Sequence, residues 1–400
     1  MKRRLEVALV GSHLQENLAC GYLAACAEAV GHKTHFVPFN GRAQIDAACE
    51  RISALAPDLV GVSVPYQTAI APALELAASL RAAGYAGHLT CGGHIPTLCY
   101  EELLCDCSAF DTAVRHEGER TLVEMLERIA ENEAVRGLPG LVWREEGRVI
   151  AGPPRGPLED LDALPSPRRH EVPFTSSGVA VAFVAGSRGC IGTCAYCSIR
   201  AFAKDMGGPS LRMRSPRSVA EEIAALFHER GASVFYFVDD LFFLPSEEKT
   251  VERILAIREE LKRLNAPRLV FCAKARPETM TAAALEAAKA LGVVHVFLGI
   301  ENASPERLRY LGRVHTPEEN VRALALCRAV GVRTSFNLMA FDPESTLEDV
   351  AMNVEFASLF ADQPWSFGRT EIHSGTRLLE RLREEGRLEG DYRSYGYRMR

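Results

Sequence analysis

The chain has no apolar run long enough to cross a bilayer, and no export signal is recognisable at its start. MKRRLEVALVG opens on basic residues, but the apolar stretch soon meets Ser12, His13, Gln15 and Glu16. That is too short and too polar for a membrane span or a signal peptide. A cytoplasmic protein without membrane contact is expected. Basic excess is lacking too, since the formal net charge is −6. Electrostatics therefore gives no reason to expect nucleic acid or an anionic membrane surface as partner. No G-x-G-x-x-G follows the first apolar segment, which disfavours a dinucleotide site.

Cysteine, by contrast, is abundant, with 12 in 400 residues. A disulfide scaffold does not suit a chain of this length that lacks an export signal. Cys20, Cys26, Cys49 and Cys327 fall in apolar periodic segments and read as small buried hydrophobes. Cys105 and Cys107 stand close together but have no third or fourth ligand at metal spacing.

Apolar residues make up 47% and charged residues 24% of the chain, as in folded globular proteins. At roughly 100–200 residues per domain, two domains or slightly more are expected. Residues 1–135 alternate regularly. LEVALVG, KTHFVPF, DLVGVSV, HLTCGG and DTAVRH read as strands, separated by helical patterns such as ENLACGYLAACAEAVG and APALELAASLRAAG. This predicts a parallel doubly wound sheet, whose ligands bind beyond the carboxyl ends of the strands. The polar loops there are Gly11–Asn17, Ser63–Gln67, Gly92–Thr97 and His116–Glu119. Gly92 and Gly93 permit close approach of a bulky ligand, or simply a tight turn.

Residues 136–178 are rich in Pro and Arg and read as a linker packing on both domains. A second alternating series fills 179–370. It begins with VAVAFVAG and predicts five or six βα units, a parallel sheet bent into a partial barrel with its chemistry at the C-terminal strand ends. Residues 371–400 read as a charged tail with three tyrosines, or the start of a further segment.

The stretch RGCIGTCAYCSIR follows the first barrel strand and places Cys190, Cys194 and Cys197 four and three residues apart. Three thiolates so spaced can hold three irons of a [4Fe–4S] cluster and leave the fourth open. Zinc with a remote fourth ligand is the competing chemistry, though zinc sites prefer paired short spacings. Three unrelated cysteines are the remaining alternative.

CIGTCAYC is similar to the C-x3-C-x-aromatic-C signature of the radical S-adenosylmethionine (SAM) enzymes. FVDDLFF, CAKARPE, GIENASPERLRYLGR and NLMAFDPESTLED resemble successive strand ends of that family. ENLACGYLAA, PDLVGVSV, CGGHIPTLCYEELL and LDALPSPRR resemble its cobalamin-dependent, methyltransferase-containing branch. The resemblance implies an α/β chain with a Rossmann-like cobalamin-binding domain followed by a (β/α)6 TIM-type barrel. It implies a [4Fe–4S] cluster on Cys190, Cys194 and Cys197, SAM on the open iron, and methylcobalamin.

It further implies Tyr196 against the adenine, Asp239 or Asp240 at the methionine ammonium, and Arg276 at its carboxylate. Glu301 would serve the ribose, and Asn337 to Phe341 would line the adenine. Tyr66 or Gln67 would lie nearest the lower face of cobalt. Ser63, Gly92, Gly93 and His94, with Glu117 and Gly118, would border cobalamin. GSHLQE lacks the Asp and Gly of the Asp-x-His-x-x-Gly cobalt-ligand pattern, so His13 is not expected to bind the metal. The reaction implied is C-methylation of a small molecule or peptide, with an external electron donor such as a flavodoxin or ferredoxin. Ring contraction, oxidative cyclisation, a cobalamin sensor, or a zinc- or cluster-stabilised scaffold are the alternatives. A monomer is expected, with the Gly92–Thr97 and Cys190–Cys197 loops on opposite walls of one cavity.

Overall fold

The computed structural model describes residues 3–400. The first domain runs β1 (Glu6–Gly11), α1 (Leu18–Ala29), β2 (Lys33–Pro38), α2 (Ile45–Leu55), β3 (Leu59–Ser63), α3 (Ile70–Ala82) and β4 (His88–Gly92). It continues through α4 (His94–Leu98), α5 (Tyr100–Asp106), β5 (Thr112–Val114), α6 (Glu119–Ala130), β6 (Leu141–Glu145) and β7 (Arg148–Ala151). The sheet order is β2-β1-β3-β4-β5-β6-β7, parallel through β5. Both sheet faces are covered: Val10, Val62 and Leu76 pack in one cluster, Leu9, Leu59 and Met125 in another.

One boundary needs correction. The expected linker began at residue 136, yet β6 and β7 form an antiparallel hairpin that extends the first sheet. The true connection starts after Ala151. It crosses α1 at Gly21, where a Cβ would stand 2.7 Å from the carbonyl oxygen of Arg168. Glycine there lets the strap lie directly on the helix, held by Arg168 N–H donating to the Gly21 carbonyl at 3.0 Å.

The second domain opens with β8 (Phe174–Ser176), β9 (Val179–Val184), β10 (Ser187–Gly189), α7 (Ser198–Met206), β11 (Leu211–Met213), α8 (Pro216–Arg230), β12 (Val234–Phe237) and α9 (Glu247–Arg263). Next come β13 (Val270–Ala275), α10 (Ala282–Leu291), β14 (Val293–Glu301), α11 (Pro305–Tyr310), α12 (Pro317–Val330), β15 (Arg333–Phe341), α13 (Leu347–Leu359) and β16 (Trp365–Arg369). Strands β9, β12, β13, β14, β15 and β16 are parallel neighbours, with β8 antiparallel at the edge. This is an open half-barrel of six βα units.

Local chemistry fixes its helices. Ser215 caps α8 through the Ser218 N–H with Pro216 at the first position, and Gly231 ends it at φ +68°. Thr316 and Thr346 close full capping boxes on α12 and α13. Alternate strand residues, including Phe235, Phe271 and Phe336, bury against those helices.

The chain end is not a loose tail. Residues 377–384 form α14, and β17 (Leu388–Glu389) pairs with β18 (Gly396–Tyr397). Leu378, Leu379 and Leu382 pack on Ala195 and Ile372. Tyr392 donates to Asp106 of the first domain at 2.8 Å. No helix among the described residues is long and apolar enough to cross a membrane.

Candidate active site between the two sheets

The C-terminal ends of both sheets open on one cavity of about 470 Å³. From the first domain it is lined by Ser63, Gly92, Gly93, His94, Glu117 and Gly118, and by Tyr22 and Leu23 of α1. The opposite wall carries Ala185, Ser187–Gly189, Ile199, Phe202, Val238 and Asp240. The lining thus reaches Gly189 and resumes at Ile199, the two flanks of the cysteine loop. Ile95, Pro96 and Thr97 are buried and take no part in the lining. Gly93 has φ +118°, and a Cβ there would meet the Val64 carbonyl oxygen at 3.0 Å.

His94 stacks on Phe202 of α7, with centroids 4.7 Å apart. Burial, with His373 nearby, pushes its imidazole down to about 4, so it is neutral at physiological pH. Glu117 behaves differently from a simple ligand-facing residue. Its carboxylate accepts from Arg188 at 3.1 Å, from Arg212 at 2.9 Å and from the Leu158 N–H at 2.8 Å. Burial would raise this carboxyl, but the Arg212 and Arg188 guanidiniums overcome it and hold it low. Arg188 also reaches Glu119 at 2.6 Å, and His116 and Arg115 both reach Asp205 on α7. These contacts bolt the loop before α6 to the start of the barrel. Sequence reasoning had no local signal for Arg212 or Asp205 as partners.

His13 pairs with Asn40 at 2.9 Å and does not line the cavity. Glu16, standing where the cobalt-ligand pattern has Gly, instead accepts from Arg169 at 2.7 Å and from the Phe183 N–H at 3.0 Å. Tyr66 is 62% exposed, and neither it nor Gln67 belongs to the lining.

On the barrel side Asp239 is sealed in, accepting from the Gly186 N–H at 2.9 Å and the Ser187 hydroxyl at 2.5 Å. It anchors the turn that leads into the cysteine loop. Asp240 faces the cavity. Desolvation pushes its carboxyl up to about 6, with Lys274 opposing and Asp239 reinforcing the shift. A carboxyl whose folded value lies above its unfolded one binds a proton more tightly when folded. Its contribution to stability is therefore greatest below about pH 4 and is lost as pH rises through about 6. Asp240→Asn should stabilise the cofactor-free protein at pH 8 more than at pH 4, read by urea midpoints. An equal effect at both values would contradict this environment.

The cysteine loop is held by β10 and β11, whose approach requires Gly189: at φ +88°, a Cβ would lie 2.1 Å from the Ser210 carbonyl oxygen. Arg276 and Arg313 donate to Cys194 Sγ at 3.6 and 3.4 Å, and the Gly192 N–H donates to Cys190 Sγ at 3.3 Å. Burial pushes the Cys197 thiol up to about 11. Arg313 escaped sequence reasoning, although it lies in the quoted YLGR. Glu301 takes a left-handed φ of +67° and accepts from Asn337 at 2.7 Å. Tyr196 packs beside the C-terminal cluster and senses Glu301, Arg313 and Cys194 electrostatically. Phe341 makes an edge contact with Phe367 at 5.4 Å. Arg276, Glu301, Asn337 and Tyr196 thus gather around the cysteine loop, apart from the cavity lining.

A B12-binding domain profile matches residues 8–126, and that of the Radical SAM superfamily matches residues 184–357. The chain carries a B12-binding domain and a radical SAM domain. A [4Fe–4S] cluster, SAM and cobalamin are the cofactors of these two domains. An uncharacterized methyltransferase of Pyrococcus horikoshii is 28% identical over 81% of this chain and 69% of its own length. An anaerobic magnesium-protoporphyrin IX monomethyl ester cyclase of Rubrivivax gelatinosus is 27% identical over 80% of this chain, which spans 59% of it. Among solved structures, the radical SAM methyltransferase TsrM from Kitasatospora setae aligns with TM-score 0.78 at 19% identity, over 96% of this chain and 75% of its own. The cobalamin-dependent SAM radical enzyme OxsB aligns with TM-score 0.77 at 19% identity, over 99% and 65%. At those identities the likeness is one of fold.

The residues of the two domains fit these groups. No three Cys, His, Asp or Glu side chains among the described residues converge on a single ion. Thiols spread around a loop suit a cluster, which takes each on a separate iron. Arg276 and Arg313 both direct N–H donors at Cys194 Sγ. The Asn337 side-chain oxygen and Arg313 Nε are buried without partners beside the loop, which suits a polar ligand such as SAM. Gly92, Gly93 and Gly118 leave backbone rather than side chains at the cavity border, which permits close approach of a large ligand such as cobalamin.

Proposed function

We propose that this radical SAM protein is a methyltransferase that moves a methyl group from SAM, by way of cobalamin, to a carbon of a small-molecule or peptide substrate. The observation that carries the reading is the single cavity walled by the strand ends of both domains. When bound, the cluster and SAM supply a carbon-centred radical, and cobalamin supplies a transferable methyl group. The chain's own residues fix where these meet. Gly92, Gly93 and His94 form one wall, and Asp240 and Val238 the other. The ion pairs of Glu117 and Asp205 hold the two walls at a constant separation. Such fixed geometry is how positioning lowers a barrier, by several kcal/mol in favourable cases.

Asp240, facing the cavity, suits the methionine ammonium, and Arg276 its carboxylate; Glu301 and Asn337 suit the ribose and adenine. The names of the Pyrococcus relative and of TsrM support methyl transfer. A reduced flavodoxin or ferredoxin is the electron donor in this proposal. The Rubrivivax relative is named a cyclase, and oxidative cyclisation is the competing reaction. Anaerobic incubation of reduced holoenzyme with a metabolite extract and methyl-labelled SAM separates the two. Label in a new product supports methyl transfer. Deoxyadenosine without labelled product would point to cyclisation.

A further inference from the structure

Strand register places two rows of side chains on the concave wall of the half-barrel. Phe183, Tyr236, Cys272 and His295 stand side by side on β9, β12, β13 and β14. One step towards the C-terminal ends, Lys274, Phe297 and Ser335 form a second row. Their neighbours in sequence, such as Phe235, Ala273 and Val296, are buried against the helices, so these rows face inward. None of the row residues lines the cavity, but two of the strands lead into it. Val238 and Asp240, which line the cavity, follow Tyr236 at the same two-residue spacing, and Ala185 follows Phe183 in the same way.

The wall has a definite chemistry. Phe183 and Tyr236 stack nearly parallel, with centroids 5.2 Å apart. Phe297 remains 36% exposed, an unusual state for a phenyl ring in the middle of a strand. Among the polar members, Ser335 and His295 are 3.0 Å apart, and Tyr236 and Cys272 are register neighbours. Lys274 is the exposed charge in the second row, and Arg333 sits beside His295 at the far end of the first. Neither row contains a carboxylate; Asp240, at the cavity end of the Tyr236 line, is the acidic group whose field Lys274 meets.

We propose that this concave wall is the substrate cleft and takes a planar aromatic compound carrying an anionic group, its ring on Phe297 and the Phe183–Tyr236 pair and its charge on Lys274. The inference rests on the barrel being the substrate's half of the site, as the methyltransferase reading requires. Ring contacts supply area and orientation, and a charge-assisted hydrogen bond from the ammonium selects the anion.

Calorimetric titration of cofactor-loaded protein with matched probes tests it. 2-Naphthoate should bind one-to-one. 2-Naphthamide, with the same plane and no charge, should bind more weakly, and cyclohexanecarboxylate, charged but not planar, should bind at least about tenfold more weakly than naphthoate. Lys274→Met should weaken naphthoate by about tenfold and leave naphthamide unchanged. Tyr236→Leu should weaken both; if that variant folds poorly, Phe297→Leu, at a part-exposed ring, serves in its place. Naphthoate binding unmoved by these variants, equal binding of cyclohexanecarboxylate, or no binding at all would overturn the proposal. Iron content and SAM cleavage in the same preparations report separately on the cofactor reading. Intact cleavage with no naphthoate binding would sink only the substrate class.

Discussion

Cys190→Ala, Cys194→Ala and Cys197→Ala should each strip most of the iron from anaerobically purified protein and abolish SAM cleavage. A cluster with one site left open already depends on three thiolates, and losing one exposes a second iron to solvent and oxidation. Cys49→Ala and Cys327→Ala are the controls. Cys327 lies in the helix-facing core of the barrel and Cys49 on α2 of the first domain, so both variants should keep about four irons per chain. The measurement is iron quantitation with the visible absorption of the cluster. A triple alanine variant that retained its iron would remove the basis for the site.

The next largest effect is expected at Glu117. Its carboxylate joins the loop before α6 to Arg188 and Arg212 of the antiparallel β10–β11 pair and to the connecting strap. Glu117→Ala leaves Arg212, which is 8% exposed, without an anionic partner, while Arg188 retains Glu119. Breaking one side of a buried pair typically costs about 3–5 kcal/mol, and a loss of roughly 3 kcal/mol is expected here because part of the network survives. The carboxyl is held below its ordinary value of 4.5 in the folded protein. Its stabilisation is then complete above that value and is lost as pH falls through the folded one. Urea midpoints of wild type and variant should accordingly differ most at neutral pH and converge in acid. A difference within about 0.5 kcal/mol at pH 7, the usual range for surface substitutions, would show that the pairs carry no load.

How much of this was legible in the sequence depends on the range of the interaction. The cysteine loop was plain because its chemistry demands a short spacing within one stretch. The alternating βα pattern of the second domain was legible for the same reason, since it is written within each short segment. The hairpin of β6 and β7 was hidden by its setting, since short strands between proline-rich stretches take on the look of a linker. The end helix left a signal in the spacing of Leu378, Leu379 and Leu382, which the surrounding charges obscured. Glu117 was placed at the cavity wall, but its arginine partners were not foreseen. A carboxylate at a strand end looks the same whether it faces a ligand or an arginine 95 residues away. Arg313 and Asp205 owe their places entirely to tertiary packing.

The central claim is that cobalamin occupies the cavity between the two sheets and the cluster the cysteine loop that flanks it. Anomalous diffraction from crystals of anaerobically loaded protein, collected on either side of the iron and cobalt edges, tests it most directly. Iron should appear beside Cys190, Cys194 and Cys197, and cobalt between the Gly92–His94 wall and Asp240. Cobalt bound outside that cavity, or iron placed away from the three cysteines, would contradict the account.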